Sequence, residues 1–432
     1  ACERKCRRAD LDDPVAIRGV KRFMVDQEEA IQVPEIRENA VNAKKKVAII
    51  GAGPAGLTCG FFLARLGYKP TIFEAASKPG GMLVQTIPAY RLPRKELERE
   101  IDMIQQMGVT VKTNQVLGSD FTLEGLRDEG YEAVFLGVGA PTGTRLSMPN
   151  ADAEGVDDSL TFLSQYNLTG SAPVGKKVAV IGGGNAAIDA ARTALRLGAE
   201  SVTILYRRTR DEMPAFKEEI DAAESEGVEL KTLVLPQEII AEDGKVVGVR
   251  CFNMWLGDFD SSGRRRPQVS EDTEAFIVEA DQVIAAIGQK LDSKPLLGSL
   301  TVNFAPNGFI AADPLTGQTS VPWLFAGGDA ATGPASVVEA VGAGERAAVG
   351  IDKFLSGEEH AFWRDEYAVD SDYDPDADPS MEGRAQVEML AAEERAHSFD
   401  EVELAFSEAV ALREAKRCLR CDYRAPGQTS CK

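Results

Sequence analysis

"KKVAIIGAGPAGL", residues 45–57, recurs as "KKVAVIGGGNAAI", residues 176–188, and the fold follows from that repeat. In each copy a short β-branched run passes through glycines into an Ala-rich segment of helical character. Strand, glycine turn and helix in that order open a nucleotide-binding βαβ unit, in which the glycines let the backbone approach a pyrophosphate at the helix N-terminus. Helices are expected over about 55–67 and 186–198, ending at Gly67 and Gly198, with second strands over 70–74 and 201–206. Further strand-like runs stand at 133–140, 281–289 and 323–331, the last followed by a helix opening at Pro334. Strands that alternate with helices build parallel sheets.

The expected fold class is α/β: two Rossmann-like dinucleotide-binding domains, one inserted in the other, with helical N- and C-terminal flanks. The first domain takes residues 45–145 and 285–356, and the second, 146–284, is inserted in it. Residues 1–44 form the N-terminal flank. Residues 357–432 begin with an acidic linker, "VDSDYDPDADPS" at 369–380, and end in a helical tail with a cysteine cluster.

Composition narrows the partners. The 432 residues carry a formal charge of −20, which repels nucleic acid and anionic membrane surfaces. No run approaches the roughly 18 apolar residues of a spanning helix, and the charged opening has no signal-like apolar region, so a cytoplasmic protein is expected. Only two histidines occur, His360 and His397, both late in the chain. Chemistry that needs a histidine base in the body of the protein is excluded.

In the first unit Gly51, Gly53 and Gly56 make G-x-G-x-x-G, with Ala55 in the same turn, and Glu74 closes the next strand. The acid accepts from ribose hydroxyls, and a glycine turn without function would not explain it. FAD and NAD both satisfy this fingerprint. "LFAGGDAA" favours the flavin: after Gly328, Asp329 ends a strand where it can hold a ribitol chain, and the helix that follows, with Ala335, Ser336 and Val337 at its start, turns its positive end to the pyrimidine edge. Gly139 and Ala140, which end the 133–140 strand, complete the candidate floor. "KPGGML", with Gly81 and Met82, and "IPAYRLP", with Arg91, would lie over ring and phosphates; turn chemistry alone explains both segments equally well.

The second unit has Gly182, Gly184 and Ala187 as G-x-G-x-x-A, with Asn185 and Ala186 opening its helix and Gly288 at the end of a later strand. Where Glu74 stands in the first unit, this one runs into "YRRTR", with Arg207, Arg208 and Arg210. An acid repels a 2′-phosphate, whereas arginines bind it through charge-assisted, bidentate hydrogen bonds. One unit is therefore expected to hold FAD and the other NADP(H). Hydride transfer between them needs positioning more than a protein acid or base, so no catalytic side chain is assigned.

Electrons must then leave the flavin. Cys59 and Cys251 are single and far apart, which argues against a disulfide exit. The remaining cysteines, Cys2, Cys6, Cys418, Cys421 and Cys431, crowd at the two ends with spacings that suit iron-sulfur clusters or zinc. Iron-sulfur is favoured, because a flavin divides a hydride into single electrons and zinc cannot carry them.

"AIIGAGPAGL", "GGML" with "IPAYRLP", "GGGNAAIDAAR", "YRRTRDEMP", "FAGGD" and "EAKRCLRC" together resemble the small subunit of glutamate synthase and its relatives, including the flavin and NADPH portion of dihydropyrimidine dehydrogenase. The resemblance runs over nearly the whole chain. It implies FAD in the outer domain with Glu74, Gly81, Arg91 and Asp329 among its contacts, and NADPH in the inserted one with Arg207 and Arg208 on the 2′-phosphate. It also implies an N-terminal helical domain with two [4Fe-4S] clusters that relays electrons to a partner. Cys2 and Cys6 match the last two cysteines of a longer family motif, so part of the ligand set is expected upstream of Ala1 or on another polypeptide. The expected function is that of an NADPH (or NADH) oxidoreductase subunit acting through FAD and iron-sulfur centres in a larger redox complex. The alternatives are a self-contained flavin oxidase or monooxygenase, which needs no terminal cysteines, and a non-catalytic nucleotide-binding scaffold.

Overall fold

A computed structural model describes residues 2–28, 32–37, 39, 41–259, 265–269, 274–292, 294–364 and 380–421. The chain forms two compact units: residues 33–361 with 391–401, and residues 1–32 with 362–390 and 402–432.

The larger unit holds two parallel five-stranded sheets, as the repeat predicts. The first contains β1 (Lys46–Ile50), β2 (Thr71–Phe73), β3 (Thr110–Lys112), β4 (Tyr131–Leu136) and β16 (Leu324–Ala326) in the order β16-β4-β1-β2-β3. The second contains β6 (Val156–Asp158), β7 (Lys177–Ile181), β8 (Ser201–Tyr206), β9 (Glu229–Thr232) and β14 (Gln282–Ala285) in the order β6-β14-β7-β8-β9. β1 and β7 are central and buried on both faces, which is why Val47–Ile50 and Val178–Ile181 are unbroken apolar runs. Helix α2 (Pro54–Arg65) follows β1 and α7 (Asn185–Arg196) follows β7.

An antiparallel meander of β10 (Val234–Glu242), β11 (Lys245–Phe259), β12 (Arg265–Val269) and β13 (Ala275–Glu279) packs on the second sheet through Ile239, Val249 and Cys251. Short strands β5 (Thr142–Gly143) and β15 (Gln289–Lys290) pair antiparallel where the chain passes between the sheets. The helix expected to open at Pro334 begins later, as α11 (Val337–Ser356). The reason is a capping box: the Ser336 hydroxyl accepts from Glu339 N while the Glu339 carboxylate accepts from Ser336 N.

In the smaller unit α1 (Ile17–Asp26) and α13 (Glu408–Ala415) meet around Ala16, Phe406 and Ala411. A buried ion cluster joins their segments. Arg417 pairs with Glu414 at 2.8 Å and Asp12 at 3.0 Å, and Arg8 pairs with Asp12 at 2.7 Å. The acidic run at 369–380 lies, Ser380 apart, outside the described residues. No described helix is long and apolar enough to cross a membrane.

Candidate functional site

Both glycine turns sit at the carboxyl edge of their sheets, where the first strand ends and the helix begins. Gly51 has φ +99, and a Cβ there would lie 2.5 Å from the Gly137 carbonyl oxygen; at Gly56 it would lie 1.9 Å from that of Gly51. Packing alone demands glycine at these two positions. Gly53 is different: its φ is −76, and its Cβ would meet nothing closer than Gly81 Cα at 3.9 Å. The second turn repeats the pattern, for a Cβ on Gly182 would lie 2.3 Å from the Ala286 carbonyl oxygen, whereas at Gly184, with φ −90, it would meet only Pro214 Cγ at 4.0 Å. Neither Gly53 nor Gly184 is required by the protein itself. Both leave open the cradle in front of a helix N-terminus that a pyrophosphate needs, so the residues fit dinucleotides.

Behind the first turn Glu74 is buried at 6% exposure, and its carboxylate accepts from Ala52 N at 2.7 Å and Ala76 N at 2.8 Å. Each oxygen keeps a further lone pair. Facing Gly53 is Gly81, with φ +53, followed by Met82 at the start of α3 (Met82–Gln85). Asp329 begins α10 (Asp329–Thr332) after Gly328, whose φ is +62. Burial pushes the Asp329 carboxyl up to about 6, opposed by a hydrogen bond from Ala335 N at 3.2 Å. Ala335, Ser336 and Val337 are exposed at the N-terminus of α11, and Val338 is 64% exposed, an apolar first turn left open. Gly139, with φ +69, has open space where a Cβ would be, and Ala140 is fully buried beside it.

At the second turn Ala187 is fully buried, Asn185 accepts from Phe216 N at 3.1 Å, Ala186 lies half-buried between them, and Gly288 lies exposed on the far side with φ +131. The three arginines have different surroundings. Arg207 is exposed and forms no ion pair among the described residues. Arg208 is buried, and its Nε donates to the Arg265 carbonyl at 3.2 Å. Arg210 is held by Glu224 at 2.8 Å and by Asp221, both on α8 (Lys217–Ser225).

Arg91, which the resemblance places on FAD, has its guanidinium taken up by two helices that flank the second sheet. Its Nη1 lies 2.8 Å from both Asp189 carboxylate oxygens, on α7, and its Nε lies 3.0 Å from Glu219, on α8. The charge network continues inward: Arg192 pairs with Glu226 at 2.6 Å, Arg196 pairs with Glu226 at 2.7 Å, and both guanidiniums lie over the Tyr90 ring, at 4.8 and 4.0 Å. Residues 391–401 complete it as a strap. From α12 (Ala392–Arg395) Arg395 reaches Glu226 at 3.2 Å, the Ser398 carbonyl accepts from Arg196, and Phe399 stacks on Tyr166 at 4.3 Å. Sequence reasoning passed over this network. Its one local signal is Arg192 and Arg196, one turn apart in an otherwise small-residue helix.

Cys2, Cys6, Cys418 and Cys421 all fall in the smaller unit, where Arg8 Nη1 donates to the Arg417 carbonyl at 3.3 Å and so joins the segments that carry them. Among the described residues no three Cys, His, Asp or Glu side chains converge as metal ligands, and Cys431 lies outside those residues. The described donors do not fit a four-thiolate cluster. Cys59 and Cys251 are buried; burial pushes the Cys251 thiol up to about 12 and raises that of Cys59 further.

A family profile described as pyridine nucleotide-disulphide oxidoreductase matches residues 45–344. The NADP(+)-dependent formate dehydrogenase subunit beta of Moorella thermoacetica is 43% identical over 98% of this chain and 64% of its own length. The NADPH-Fe(3+) oxidoreductase subunit beta of Geobacter sulfurreducens is 38% identical over 98% of this chain and 68% of its own. For the glutamate synthase [NADPH] small chain of Escherichia coli the figures are 37% identity, 82% and 78%. The chain thus spans a little under two thirds of the first of these relatives. Among solved structures, Mycobacterium tuberculosis FprA in complex with NADPH superposes with a TM-score of 0.62 at 19% identity, over 72% of this chain and 85% of that one. This last likeness is one of fold.

Proposed function

The chain belongs to the pyridine nucleotide-disulphide oxidoreductase family, in the group that includes the glutamate synthase small chain, and from that premise we propose that it is a cytoplasmic NADPH oxidoreductase subunit that works through FAD. The observation that carries the reading is the contrast behind two equivalent turns, a buried carboxylate at Glu74 and the arginines 207, 208 and 210. Bound FAD and NADPH would supply hydride transfer, the relay of electrons to an acceptor, and the visible absorbance that reports it.

The protein's part is placement. Gly53 and Gly81 open the first cradle, Glu74 holds the Ala52 amide in position and offers its remaining lone pairs to a ribose, and Asp329 with the start of α11 would meet the flavin end. Gly184 opens the second cradle, and Arg207 meets the 2′-phosphate. Arg91, bound to Asp189 and Glu219, fixes the two sites with respect to each other. The separate burial of Cys59 and Cys251 supports an exit other than a disulfide, namely an acceptor on a partner chain, in keeping with relatives that are named as subunits. The described cysteines do not converge on a site for an iron-sulfur cluster.

Arg207→Glu tests the assignment. NADPH should bind more weakly by at least tenfold, consistent with about 1.5 to 3 kcal/mol for a charge-assisted contact, while NADH changes little. Anaerobic bleaching of the flavin by each nucleotide is the measurement. A wild type that already prefers NADH would overturn the reading.

A further inference from the structure

The outer half of β11 and β12 form a hairpin that overhangs the carboxyl edge of the second sheet. β9 ends at Thr232, Leu233 turns the chain with φ +55, and Met254 N of β11 donates to the Leu233 carbonyl at 2.7 Å. Beyond that point β11 runs on to Phe259, paired with β12 among the described residues. The arginine end of β8 holds both the Leu233 turn and the hairpin: Leu233 N donates to the Arg208 carbonyl at 3.0 Å, and Arg208 Nε donates to the Arg265 carbonyl at 3.2 Å.

Trp255 is opposite Gln268 and Phe259 opposite Arg265, with a bulge between Leu256 and Phe259, and all four residues line a groove of about 340 Å³. Gly257 between them leaves room that the Gln268 side chain fills. The rings are left in water, Trp255 at 51% and Phe259 at 71% exposure. Arg265 sits 5.8 Å from the centroid of the Phe259 ring. Arg265 and Arg266 are exposed, and neither forms an ion pair among the described residues. Exposed arginines side by side at one sheet edge stand out in a chain of charge −20. Asp258, which also lines the groove, is the acid set against them.

We propose that this hairpin is the adenosine end of the second nucleotide site: Arg265 and Arg266 join Arg207 on the 2′-phosphate, and Trp255 with Phe259 forms the wall on which adenine stacks. The inference rests on the reading of the second domain as an NADPH site. Arg208 acts as a positioning residue, buried with its Nε on the hairpin, and the phosphate falls to its exposed neighbours. Aromatic rings accept any base face, and guanidinium groups supply the discrimination for phosphate.

The test is calorimetric titration of the full chain with 2′,5′-ADP and with 5′-AMP. Replacing both arginines (R265A with R266A) should weaken 2′,5′-ADP about tenfold and leave 5′-AMP within twofold, with lysine at both positions recovering most of the loss. Trp255→Ala should weaken both ligands by a similar factor. If these variants bind 2′,5′-ADP as the wild type does while Arg207→Ala has lost it, the hairpin is no part of the site, although the NADPH reading stands; a protein-docking role for the exposed rings would give this result. If the wild type binds 2′,5′-ADP no more tightly than 5′-AMP, the NADPH reading fails and the inference with it.

Discussion

Gly53 and Gly56 are three residues apart in one motif and are glycine for different reasons. A methyl group on Gly56 would sit 1.9 Å from the Gly51 carbonyl oxygen, so Gly56→Ala should destabilise the protein by about 1 to 3 kcal/mol or more, read from chemical denaturation. Gly53→Ala should leave the melting temperature of the ligand-free protein nearly unchanged and lower FAD affinity at least tenfold, because only a ligand comes close enough to need the space. An equal loss of stability in both would remove the argument for the cradle. Asp329 gives a pH signature. Its folded pKa, about 6, exceeds the ordinary carboxylate value, so the stability it contributes is fully present below about pH 4 and is lost as pH rises through 6. Asp329→Asn should flatten that part of the pH profile of the melting temperature, so that the difference between variant and wild type changes between about pH 4 and 6. The spacing of the motif makes Gly53 and Glu74 legible in the sequence. Whether a glycine serves the protein or a ligand is not, since it depends on which backbone faces it across the fold.

At the scale of elements, the repeat of strand, turn and helix makes both parallel sheets legible, because a glycine turn after a β-branched run has a short-range signature. The ion pairs that join them have none. Arg91 meets Asp189 and Glu219 across about a hundred residues of sequence, and nothing local marks the partner of a charge. Removing one member of a buried pair strands the other: Arg91→Ala should cost about 3 to 5 kcal/mol, measured by denaturant unfolding. Arg91→Met combined with Asp189→Leu should recover much of that loss, because an apolar pair needs no desolvation. Should the double variant be as unstable as the single one, the cost lies in packing and not in the orphaned carboxylate. The late start of α11 is of the same kind: Pro334 is a plausible helix opener, but the reciprocal bonds of Ser336 and Glu339 set the boundary.

For the whole molecule the repeat says nothing about the strap, since residues 391–401 carry no motif and their neighbours on both sides belong to the other unit. Phe399→Ala should remove the stack on Tyr166 and cost about 1 to 2 kcal/mol, with the loss appearing in the unfolding of the nucleotide-binding unit. The strap also sets a schedule for synthesis. Both sheets are complete in sequence by residue 326, yet the unit lacks Arg395 on Glu226 and Phe399 on Tyr166 until residue 401 has left the ribosome. During that interval the nascent chain has its turns and helices in place, with one aromatic face and one end of its charge network still open to water. A gene cut at residue 361 would make that interval permanent, and the fragment should be more aggregation-prone than the intact chain even though it carries both nucleotide motifs whole.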